Sequence, residues 1–394
     1  MEPKYSAVLL RYGEIGIKSK QTRRRMTDLL VKHIRSALKE KQVKFSKVRK
    51  EYGRIFVESK DVDNAARVAS RVFGIVSASP VVVVPAQLDT ILETGQAMAR
   101  SSFEKGRSFA VGARRIGTHE FSSQDVREKL GARILTGLPD LKLRVDLTSP
   151  EQSIYVEVRD DSAYLFTDTV EGVGGMPTGS QGKVVCALSS GFDSPIAAYK
   201  AMKRGCIPVF VNFDNTPYAT DDCSSLVIKQ AQLLADFIFN HDVKLYIVPH
   251  GADLKETAQH GPTKMICLFC KRNMLRMARE IAIREDADAI VTGEIIGEQA
   301  SQTTKNLRAI NTAVCDFPIL RPCAGDDKTE IEEIAHELGT YEFAREGLSC
   351  CSLAPKHPVT QARTDEIIAA EQKLGLGVLK QQVESARIVT LRKA

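Results

Sequence analysis

The second half of the sequence alternates short apolar segments with longer amphipathic ones. Apolar runs such as VVCAL at 184–188 and VKLYIVP at 243–249 are separated by helix-like segments, for example SPIAAYKAMKRG at 194–205. Buried strands that alternate with helices are typical of a parallel sheet covered on both faces. The sequence therefore predicts an α/β fold with a doubly wound parallel sheet over residues 184–394, ending in a C-terminal tail. The other predicted elements are strands at 206–213 and 288–294 and helices at about 224–239, 271–285 and 329–338.

The first 171 residues have an α+β pattern instead. A strand at 5–10, a helix with an apolar stripe and a returning strand at 54–59 predict one module over residues 1–60. A short helix, an apolar strand at 81–84 and a helix at 88–103, followed by further strands, predict a second module over residues 61–171. Five glycines within residues 172–183 predict a linker before the parallel-sheet domain.

Positive charge is concentrated at the N-terminal end. Residues 1–60 contain 17 Lys and Arg but only 6 Asp and Glu, whereas the chain as a whole has a net charge of +6. This asymmetry favours a polyanion-binding module, although a solvated basic helix produces the same pattern.

Composition also limits the class of protein. No segment approaches the roughly 20 consecutive apolar residues that cross a bilayer, and the N-terminus does not resemble a signal peptide. We therefore expect a cytoplasmic protein with no membrane partner. Nine cysteines are too few for a disulfide scaffold in a chain of this length, so clustered cysteines favour metal binding or catalysis.

The loop SSGFDS at 189–194 follows the first strand of the parallel sheet, where a helix N-terminus is expected to bind an anion. Ser189, Ser190 and Ser194 add hydroxyl donors, and Gly191 allows close approach of a phosphate. The loop lacks the lysine of nucleotide-hydrolase loops, which favours binding of pyrophosphate. Asp193 would hold Mg²⁺ against the phosphate oxygens. The alternative is a serine-rich turn that only caps a helix.

This loop resembles the SGGxDS loop of the ATP pyrophosphatases, which cut ATP between the α- and β-phosphates. Ser190 stands where that family usually has a second glycine, and a positive φ there would cost roughly 1 kcal/mol. The resemblance implies ATP-binding roles for thirteen residues: Leu188, Ser189, Ser190, Gly191, Phe192, Ser194, Asn212, Phe213, Thr292, Gly293, Glu294, Gln302 and Lys328.

Several separated segments resemble the tRNA 4-thiouridine synthetases within that group. They are RYGEIGIKS at 11–19, RVFGIVSASP at 71–80, VTGEIIGEQASQT at 291–303, AIN at 309–311, PILRP at 318–322 and DKTEIEEIAHELGTYE at 327–342. The resemblance implies a ferredoxin-like domain (1–60), a THUMP RNA-binding domain (61–171) and an ATP pyrophosphatase domain. It also implies that tRNA is the partner, with a target uridine near the tRNA elbow.

Two segments of the pyrophosphatase domain have alternative interpretations. By resemblance, Gln299 and Gln302 line the ATP and uridine pocket together with the residues 292–294, and the alternative is a strand-end turn. In the DKTE segment, Asp327 and Glu330 have the spacing of a helix capping box, and the alternative role is that Lys328 reaches a phosphate.

The resemblance indicates a two-step chemistry. A uracil 4-carbonyl is a poor leaving group, so its oxygen would first be adenylated with release of pyrophosphate and then replaced by sulfur. The basic N-terminal end would bind tRNA phosphates, and the candidate residues are Lys18, Arg23, Arg24 and Arg25.

Four cysteines are candidates for sulfur delivery: Cys267 and Cys270 in a CxxC motif just before a predicted helix, and Cys350 and Cys351. The chain resembles the short form of the family, which implies a [4Fe–4S] cluster on Cys267, Cys270 and Cys350, with Cys351 as the alternative third ligand. Persulfide chemistry at a redox dithiol remains an alternative, and zinc would need a fourth ligand such as Cys315 or Cys323. The remaining cysteines, Cys186, Cys206 and Cys223, are interpreted as core residues.

Two rival functions remain open at this point: a tRNA 2-thiolation enzyme and a tRNA-binding protein without catalysis. The sulfur donor, either sulfide or a cysteine desulfurase persulfide, is not defined by the sequence. A role in thiamine synthesis and a homodimer are further implications of the family resemblance.

Overall fold

The computed structural model describes residues 3–219, 223–344, 351–374 and 379–393. The chain divides into two compact units, Met1–Gly175 and Met176–Ala394. Within the described ranges, no helix combines the length and apolar character needed to cross a membrane.

The first unit contains four helices and nine strands in its described part. In chain order they are β1 (Ala7–Tyr12), α1 (Lys20–Glu40), β2 (Phe45–Glu51), β3 (Arg54–Ser59), α2 (Val62–Ser70), β4 (Ile75–Pro85), α3 (Leu88–Ser102), β5 (Ser108–Ile116), α4 (Ser123–Gly137), β6 (Arg144–Val145), β7 (Gln152–Arg159), β8 (Ser162–Phe166) and β9 (Val170–Glu171).

These strands form one sheet in the order β2-β3-β1-β4-β8-β7-β5-β6, and β9 also pairs with β4. The predicted first module lacked β2, whose sequence FSKVRKE is mostly polar. This strand lies at the sheet edge, where only Val48 is buried, so its hydrophobic signal is weak.

The long strand β4 joins the two halves of this sheet. Its residues from Ile75 to Val81 pair with β1, and its residues from Val82 to Pro85 pair with β8. A buried cluster contains Leu9 and Phe56 from one half and Tyr164 from the other, and the rings of Phe56 and Tyr164 stack at 4.4 Å. The two predicted N-terminal modules therefore share strand pairing and a core.

The second unit contains the remaining described elements. They are β10 (Lys183–Ala187), α5 (Asp193–Lys203), β11 (Ile207–Asp214), α6 (Cys223–Ala235), β12 (Val243–Pro249), α7 (Gly251–His260), α8 (Ile266–Glu285), β13 (Ala289–Val291), α9 (Thr304–Asn311), β14 (Ile319–Leu320), α10 (Lys328–Leu338), α11 (Tyr341–Ala344), α12 (Thr364–Glu371), α13 (Leu379–Glu384) and β15 (Arg387–Arg392).

Their strands form a sheet in the order β14-β13-β10-β11-β12-β15, and all neighbours are parallel except β12 and β15. This confirms the predicted doubly wound parallel sheet. The chain runs outward from β10 to β11 and β12, and then crosses back to β13 on the other side of β10. The strand order thus reverses between β10 and β13, which is where ligands bind in open α/β sheets.

Three elements of this unit differ from their predicted extents. Helix α8 begins at Ile266, before the predicted start at 271, so the CxxC motif lies inside the helix rather than ahead of it. Helix α6 ends at Ala235, earlier than the predicted end at 239. The helix at 328–338 does not close the fold, because β15 returns to the sheet and pairs with β12.

Candidate active site

The loop between β10 and α5 is attached to the neighbouring strand β11. The Leu188 amide donates to the Val211 carbonyl at 2.8 Å, and the Asn212 side-chain amide donates to the Leu188 carbonyl at 3.0 Å. Both Leu188 and Asn212 are buried. The loop therefore leaves the sheet at a fixed position, above the carboxyl end of β10.

Internal hydrogen bonds define the shape of this loop. The Ser189 amide donates to the Ser194 hydroxyl at 2.8 Å, and the two hydroxyl oxygens are 3.0 Å apart. Gln230 on α6 donates to the Ser190 carbonyl at 3.3 Å. Ser190 is not among the residues with positive φ, so serine at this position carries none of the strain that a left-handed conformation would impose.

Gly191 leaves space for a ligand above the loop. A Cβ atom at this position would meet only the Ser189 hydroxyl, at 3.7 Å. The loop also runs into α5, an 11-residue helix whose first-turn amides lie at this end. The loop hydroxyls and the first-turn amides of α5 therefore lie next to one another, and the binding of an anion here stays a prediction.

The end of β13 packs directly against the loop. A Cβ atom on Gly293 would lie 2.6 Å from the Ser194 Cα and 2.8 Å from the Ser194 amide nitrogen. These distances are too short for any side chain, and the obstacle is backbone. Glycine at 293 therefore permits the close approach of the end of β13 to the start of α5.

A cavity of about 300 Å³ opens at this crevice. Its wall contains eleven of the predicted site residues: Leu188, Ser189, Ser190, Asp193, Ser194, Asn212, Phe213, Thr292, Gly293, Glu294 and Gln302. Gln299 also lies in the wall. Three predicted residues, Gly191, Phe192 and Lys328, lie on or beside the loop without lining the cavity.

One face of α8 forms a wall of the cavity that the sequence did not reveal. Lys271, Met274, Leu275 and Ala278 line it, at the spacing of one helix face. With Phe213 from β11, they give this wall an apolar surface next to the polar loop. A planar base can pack on such a surface while phosphates reach the loop.

Glu294 is a buried carboxylate between two cations. Its oxygens lie 3.4 Å from the Lys271 ammonium and 3.1 Å from the Arg321 guanidinium, and the Thr292 hydroxyl also donates to it. Burial acts to raise the pKa of Glu294, but Lys271 and Arg321 outweigh this effect and the pKa is lowered. The side chain is therefore ionised at neutral pH.

Gln302 is a polar side chain with an unused acceptor. Its side chain is only 5% exposed and lines the cavity, and its Oε1 atom has no hydrogen-bond partner among the described residues. A buried acceptor without a partner is unfavourable unless a ligand supplies a donor. Its position is thus suited to a ligand with an N–H group.

Asp193 at the start of α5 is paired with Lys328 at the start of α10. The Lys328 ammonium lies 2.6 Å from Asp193 and 2.6 Å from Glu298, and 4.3 Å from the centre of the Phe192 ring. Burial raises the pKa of Asp193, against the opposite effect of Lys328. The cluster therefore contains two carboxylates, on Asp193 and Glu298, around one ammonium.

The DKTE segment forms the capping box considered from sequence, whereas the phosphate contact of Lys328 stays a prediction. The Asp327 amide donates to the Glu330 carboxylate at 3.1 Å, which is part of a capping box at the start of α10. Lys328, one residue later, reaches the loop through Asp193. The cap therefore fixes the helix start from which Lys328 extends.

Cys267 and Cys270 lie in the first turns of α8, and both are half-buried. Burial raises the pKa of both thiols, and the proximity of Cys351 raises them further. Cys351 therefore lies close to the pair, whereas Cys350 falls outside the described residues. In the ligand-free arrangement, no group of three or more His, Cys, Asp or Glu within the described ranges is positioned to hold a metal ion.

The segment that follows Cys351 is attached to the same region. Asn306 on α9 donates to the Val359 carbonyl at 2.8 Å and accepts from the Ala362 amide at 3.0 Å. The adjacent Ser352 amide donates to the Tyr218 carbonyl at 2.7 Å. These contacts hold the backbone around Cys351 and the segment after it against α9 and the loop that follows β11.

Glu371, at the end of α12, forms ion pairs that connect this segment to α8. It accepts hydrogen bonds from Arg272, at 2.7 and 3.0 Å, and from Arg276, at 2.5 and 2.8 Å. Burial acts to raise the pKa of Glu371, but the hydrogen bonds from Arg276 and Arg272 lower it to about 2. The ion pair therefore connects the helix that contains the CxxC motif with the segment that contains Cys351.

The remaining cysteines are placed differently from one another. Cys186 and Cys206 are buried in the core, in agreement with their interpretation from sequence. Cys223 was interpreted as a core residue, and this is wrong: it lines the cavity at the start of α6. Cys315 is exposed and Cys323 is buried.

The predicted tRNA-binding residues lie in the first unit, at the start of α1. Arg24 and Arg25 are exposed and line a shallow depression with Lys32. Arg23 is half-buried, donates to the Gly16 carbonyl at 3.2 Å and lies over the Tyr52 ring. Lys18, before the helix, is half-buried.

A second basic surface in this unit was not found from sequence. It is a groove of about 800 Å³ whose wall contains Arg11, Arg54, Arg114 and Arg127. Its aromatic residues are Tyr155 and Phe166, which stack with ring centres 5.2 Å apart. Tyr155 is partly exposed whereas Phe166 is buried, and Glu157 in the same wall pairs with Arg54 at 3.0 Å. Arginines beside an exposed aromatic ring are a feature of sites that bind single-stranded nucleic acid.

Three protein-family models match successive parts of this chain. The family model described as Thiamine biosynthesis protein (ThiI) matches residues 179–376, the ThiI ferredoxin-like domain matches residues 7–79, and the THUMP domain matches residues 85–168. The three domain types predicted from sequence are therefore confirmed.

Relatives match over nearly the full length. A probable tRNA sulfurtransferase of Methanosarcina mazei is 36% identical over 99% of this chain and 96% of the relative, and one of Methanosarcina acetivorans is 38% identical over 94% and 90%. The crystal structure of a 4-thiouridine synthetase–RNA complex with bound ATP matches with a TM-score of 0.86 and 31% identity, over 98% of this chain and 100% of that one. The protein therefore belongs to the ThiI family.

Proposed function

We propose that this protein is an ATP-dependent tRNA sulfurtransferase that converts a tRNA uridine to 4-thiouridine. The observation that carries the proposal is the cavity at the β10–β13 crevice. It combines the donor-rich 189–194 loop, an apolar wall and the unused acceptor of Gln302, in a chain that matches a 4-thiouridine synthetase from end to end.

In the first step, the uracil O4 atom attacks the α-phosphate of ATP. A bond forms between O4 and phosphorus, the bond to the β-phosphate breaks, and pyrophosphate leaves. Ser189, Ser190 and Ser194 and the first amides of α5 bind the leaving pyrophosphate. Gln302 accepts a hydrogen bond from an N–H group of the base bound in the cavity. The wall formed by Met274 and Leu275 packs against the planar ring of that base.

Asp193 fits the role of a Mg²⁺ ligand. Its carboxylate lies at the start of α5, next to the loop, and Glu298 is close enough to share the Lys328 ammonium with it. A bound Mg²⁺ supplies positive charge to the phosphate oxygens. Lys328 would then move from Asp193 toward the pyrophosphate.

In the second step, sulfur adds to C4 of the uracil and AMP leaves. Cys267 and Cys270 with one of Cys350 and Cys351 are the groups that we propose for sulfur delivery. A three-thiolate iron–sulfur cluster would use Cys267 and Cys270 in the first turns of α8 together with one of the late cysteines, and it would supply a site that holds sulfide. Cys351 lies near the pair, but the described residues do not form a metal-binding group as they stand, so these side chains would have to rearrange around the cluster. In the alternative route, a persulfide on one of these cysteines delivers the sulfur and a second thiol resolves the disulfide.

For tRNA, we propose the exposed Arg24 and Arg25, together with Lys18 and Arg23, as phosphate contacts. The arginine-lined groove with Tyr155 and Phe166 provides a second surface in the same unit.

We also propose a homodimer, which light scattering of the purified protein would test. Assays of 4-thiouridine formation that contain either sulfide or a desulfurase persulfide would identify the sulfur donor.

The first experiment measures tRNA-dependent pyrophosphate release from ATP, followed by nucleoside mass spectrometry of the tRNA. The wild-type protein should release pyrophosphate and form 4-thiouridine, and 2-thiouridine instead would support the 2-thiolation alternative. Asp193→Ala should abolish pyrophosphate release and leave tRNA affinity largely intact. The control Asp365→Ala changes an exposed carboxylate on α12 and should behave as wild type. Absence of tRNA-dependent pyrophosphate release would contradict the proposed function.

The second experiment measures iron and sulfide per chain in anaerobically purified protein. The variants replace Cys267, Cys270, Cys350 or Cys351 by Ala, and Cys315→Ala is a control at an exposed cysteine. Near-equal iron and sulfide, lost in three of the four variants, supports the cluster. Thiolation by protein without iron would favour the persulfide route.

A further inference from the structure

The cavity wall contains a marked imbalance of charge. Three carboxylates line it, on Asp193, Asp214 and Glu294, whereas Lys271 is the single cationic side chain among the described residues of the wall. An anionic ligand in this cavity therefore meets one cationic side chain of the described wall, Lys271. This charge lies on α8, on the side of the cavity where the CxxC motif begins.

The ion pair between Lys271 and Glu294 leaves the Lys271 side chain able to move. Its ammonium lies 3.4 Å from Glu294, at the long end of an ion-pair distance, and its side chain is 25% exposed. Glu294 has a second cation, Arg321, at 3.1 Å, and Arg321 is itself held by Asn311 at 2.6 Å. Lys271 can turn toward a ligand without leaving Glu294 buried and unpaired.

The position of Lys271 in the chain links it to sulfur delivery. It follows Cys270 directly, and Cys270 is half-buried in the turn that starts α8. Lys271 is therefore the cavity-lining residue next in the chain to the cysteines that we propose for sulfur delivery. The loop at 189–194 and Lys328, which we propose to bind pyrophosphate, belong to the starts of α5 and α10 instead.

We propose, on the basis of the function proposed above, that Lys271 is a catalytic cation of the sulfur-transfer step. Hydrosulfide adds to C4 of the adenylated uracil, which lost its N3 proton when O4 was adenylated. The bond between C4 and the bridging oxygen then breaks, its electron pair leaves with AMP, and the proton of the hydrosulfide passes to N3 to give 4-thiouridine. The phosphate of AMP thereby gains a second negative charge. The Lys271 ammonium stabilises this charge, whereas the loop donors act on the earlier release of pyrophosphate.

The proposal separates the two half-reactions, which gives a direct test. The full-length protein, purified anaerobically, is given unmodified tRNA, ATP labelled at the α-phosphate, and sodium sulfide. Pyrophosphate release and label on tRNA report the first step, and 4-thiouridine reports the second. Arg279→Met is the matched control, because it removes a cation from α8 that pairs with exposed Asp316 and does not line the cavity.

Lys271→Met should release pyrophosphate within about threefold of the wild-type rate, and sulfur transfer should fall about 100-fold, so that labelled tRNA accumulates. Lys271→Arg, which keeps the charge, should recover part of the loss, and Arg279→Met should change neither step. Equal loss of both steps in Lys271→Met, no loss of sulfur transfer, or a loss fully explained by lower bound iron or lower folded fraction would each overturn the proposal. Wild-type protein without pyrophosphate release would instead contradict the proposed function itself.

Discussion

Gly293→Ala tests whether the crevice between β10 and β13 must be as narrow as the structure has it. The added methyl group would lie 2.6 Å from the Ser194 Cα, 2.8 Å from its amide nitrogen and 3.0 Å from the Asp193 carbonyl carbon. Ordinary van der Waals contact begins at 3.4 Å, so the end of β13 and the start of α5 must separate by about 0.8 Å. Neither can yield by a side-chain rotation, because all three atoms are backbone.

A displacement of this size moves the loop donors relative to Glu294 and Gln302. Misplacement of catalytic groups by about 1 Å costs roughly 100-fold in rate, and overpacking of this kind costs about 1–3 kcal/mol of stability. Pyrophosphate release by Gly293→Ala should fall by that factor, and urea denaturation should show the loss of stability. Gly325→Ala is the control, because no atom lies within 4 Å of its added methyl group. Wild-type activity and stability in Gly293→Ala would refute the reasoning.

Two further predictions concern charged residues. Glu371→Gln should lower the free energy of unfolding at pH 7 by roughly 3 kcal/mol, the scale of breaking a buried ion pair, whereas the exposed Asp365→Asn should not. Because the pKa of Glu371 is lowered to about 2, the ion pair stabilises the wild type above pH 4.5, and this stability is lost as the pH falls toward 2. The free energy of unfolding of Glu371→Gln, measured by urea denaturation, should therefore depend less on pH in that range. A pH dependence equal to that of the wild type would contradict the assignment. The double variant Arg24→Ala/Arg25→Ala should reduce the slope of log affinity for tRNA against log salt by roughly 2, measured by filter binding. Lys305→Ala is the control, because Lys305 is an exposed lysine on α9 whose ammonium donates to Gln361. A slope equal to that of the wild type would remove the two arginines from the interface.

The sequence was sufficient to predict the parallel sheet and the loop site because both depend on local signals. Buried strands such as VVCAL and the helices between them have a clear period, and the loop at 189–194 is continuous in sequence. The topology then brings residues 292–294 to the same crevice, as expected for neighbouring parallel strands. The position of the cavity follows from the loop at 189–194 and from the pairing of β10 with β13.

Features that depend on distant contacts were not predictable. Lys271, Met274 and Leu275 have the spacing of an ordinary core helix, and only the tertiary structure shows that this face borders a cavity. The start of α8 was placed too late because its N-cap residue, Met265, makes no side-chain cap. Strand β15 has a strand-like sequence, but its pairing with β12 joins segments far apart in the chain.

The same reason explains the two basic surfaces. Arg23, Arg24 and Arg25 are consecutive and are therefore visible as a cluster in the sequence. Arg11, Arg54 and Arg114 lie on three different strands and meet only when the nine-stranded sheet forms. A charge pattern read along the chain detects the first kind of surface and not the second.

Strand β4 also restricts how the N-terminal half of this protein can be inherited or transplanted. The ferredoxin-like match ends at residue 79 and the THUMP match begins at residue 85, so the border between the two falls within a single strand, Ile75–Pro85. A chain cut before this strand leaves β1 without a partner on one side, and a chain cut after it exposes the edge of β8. The two domains are therefore expected to unfold in one cooperative transition and to move between proteins only as a pair.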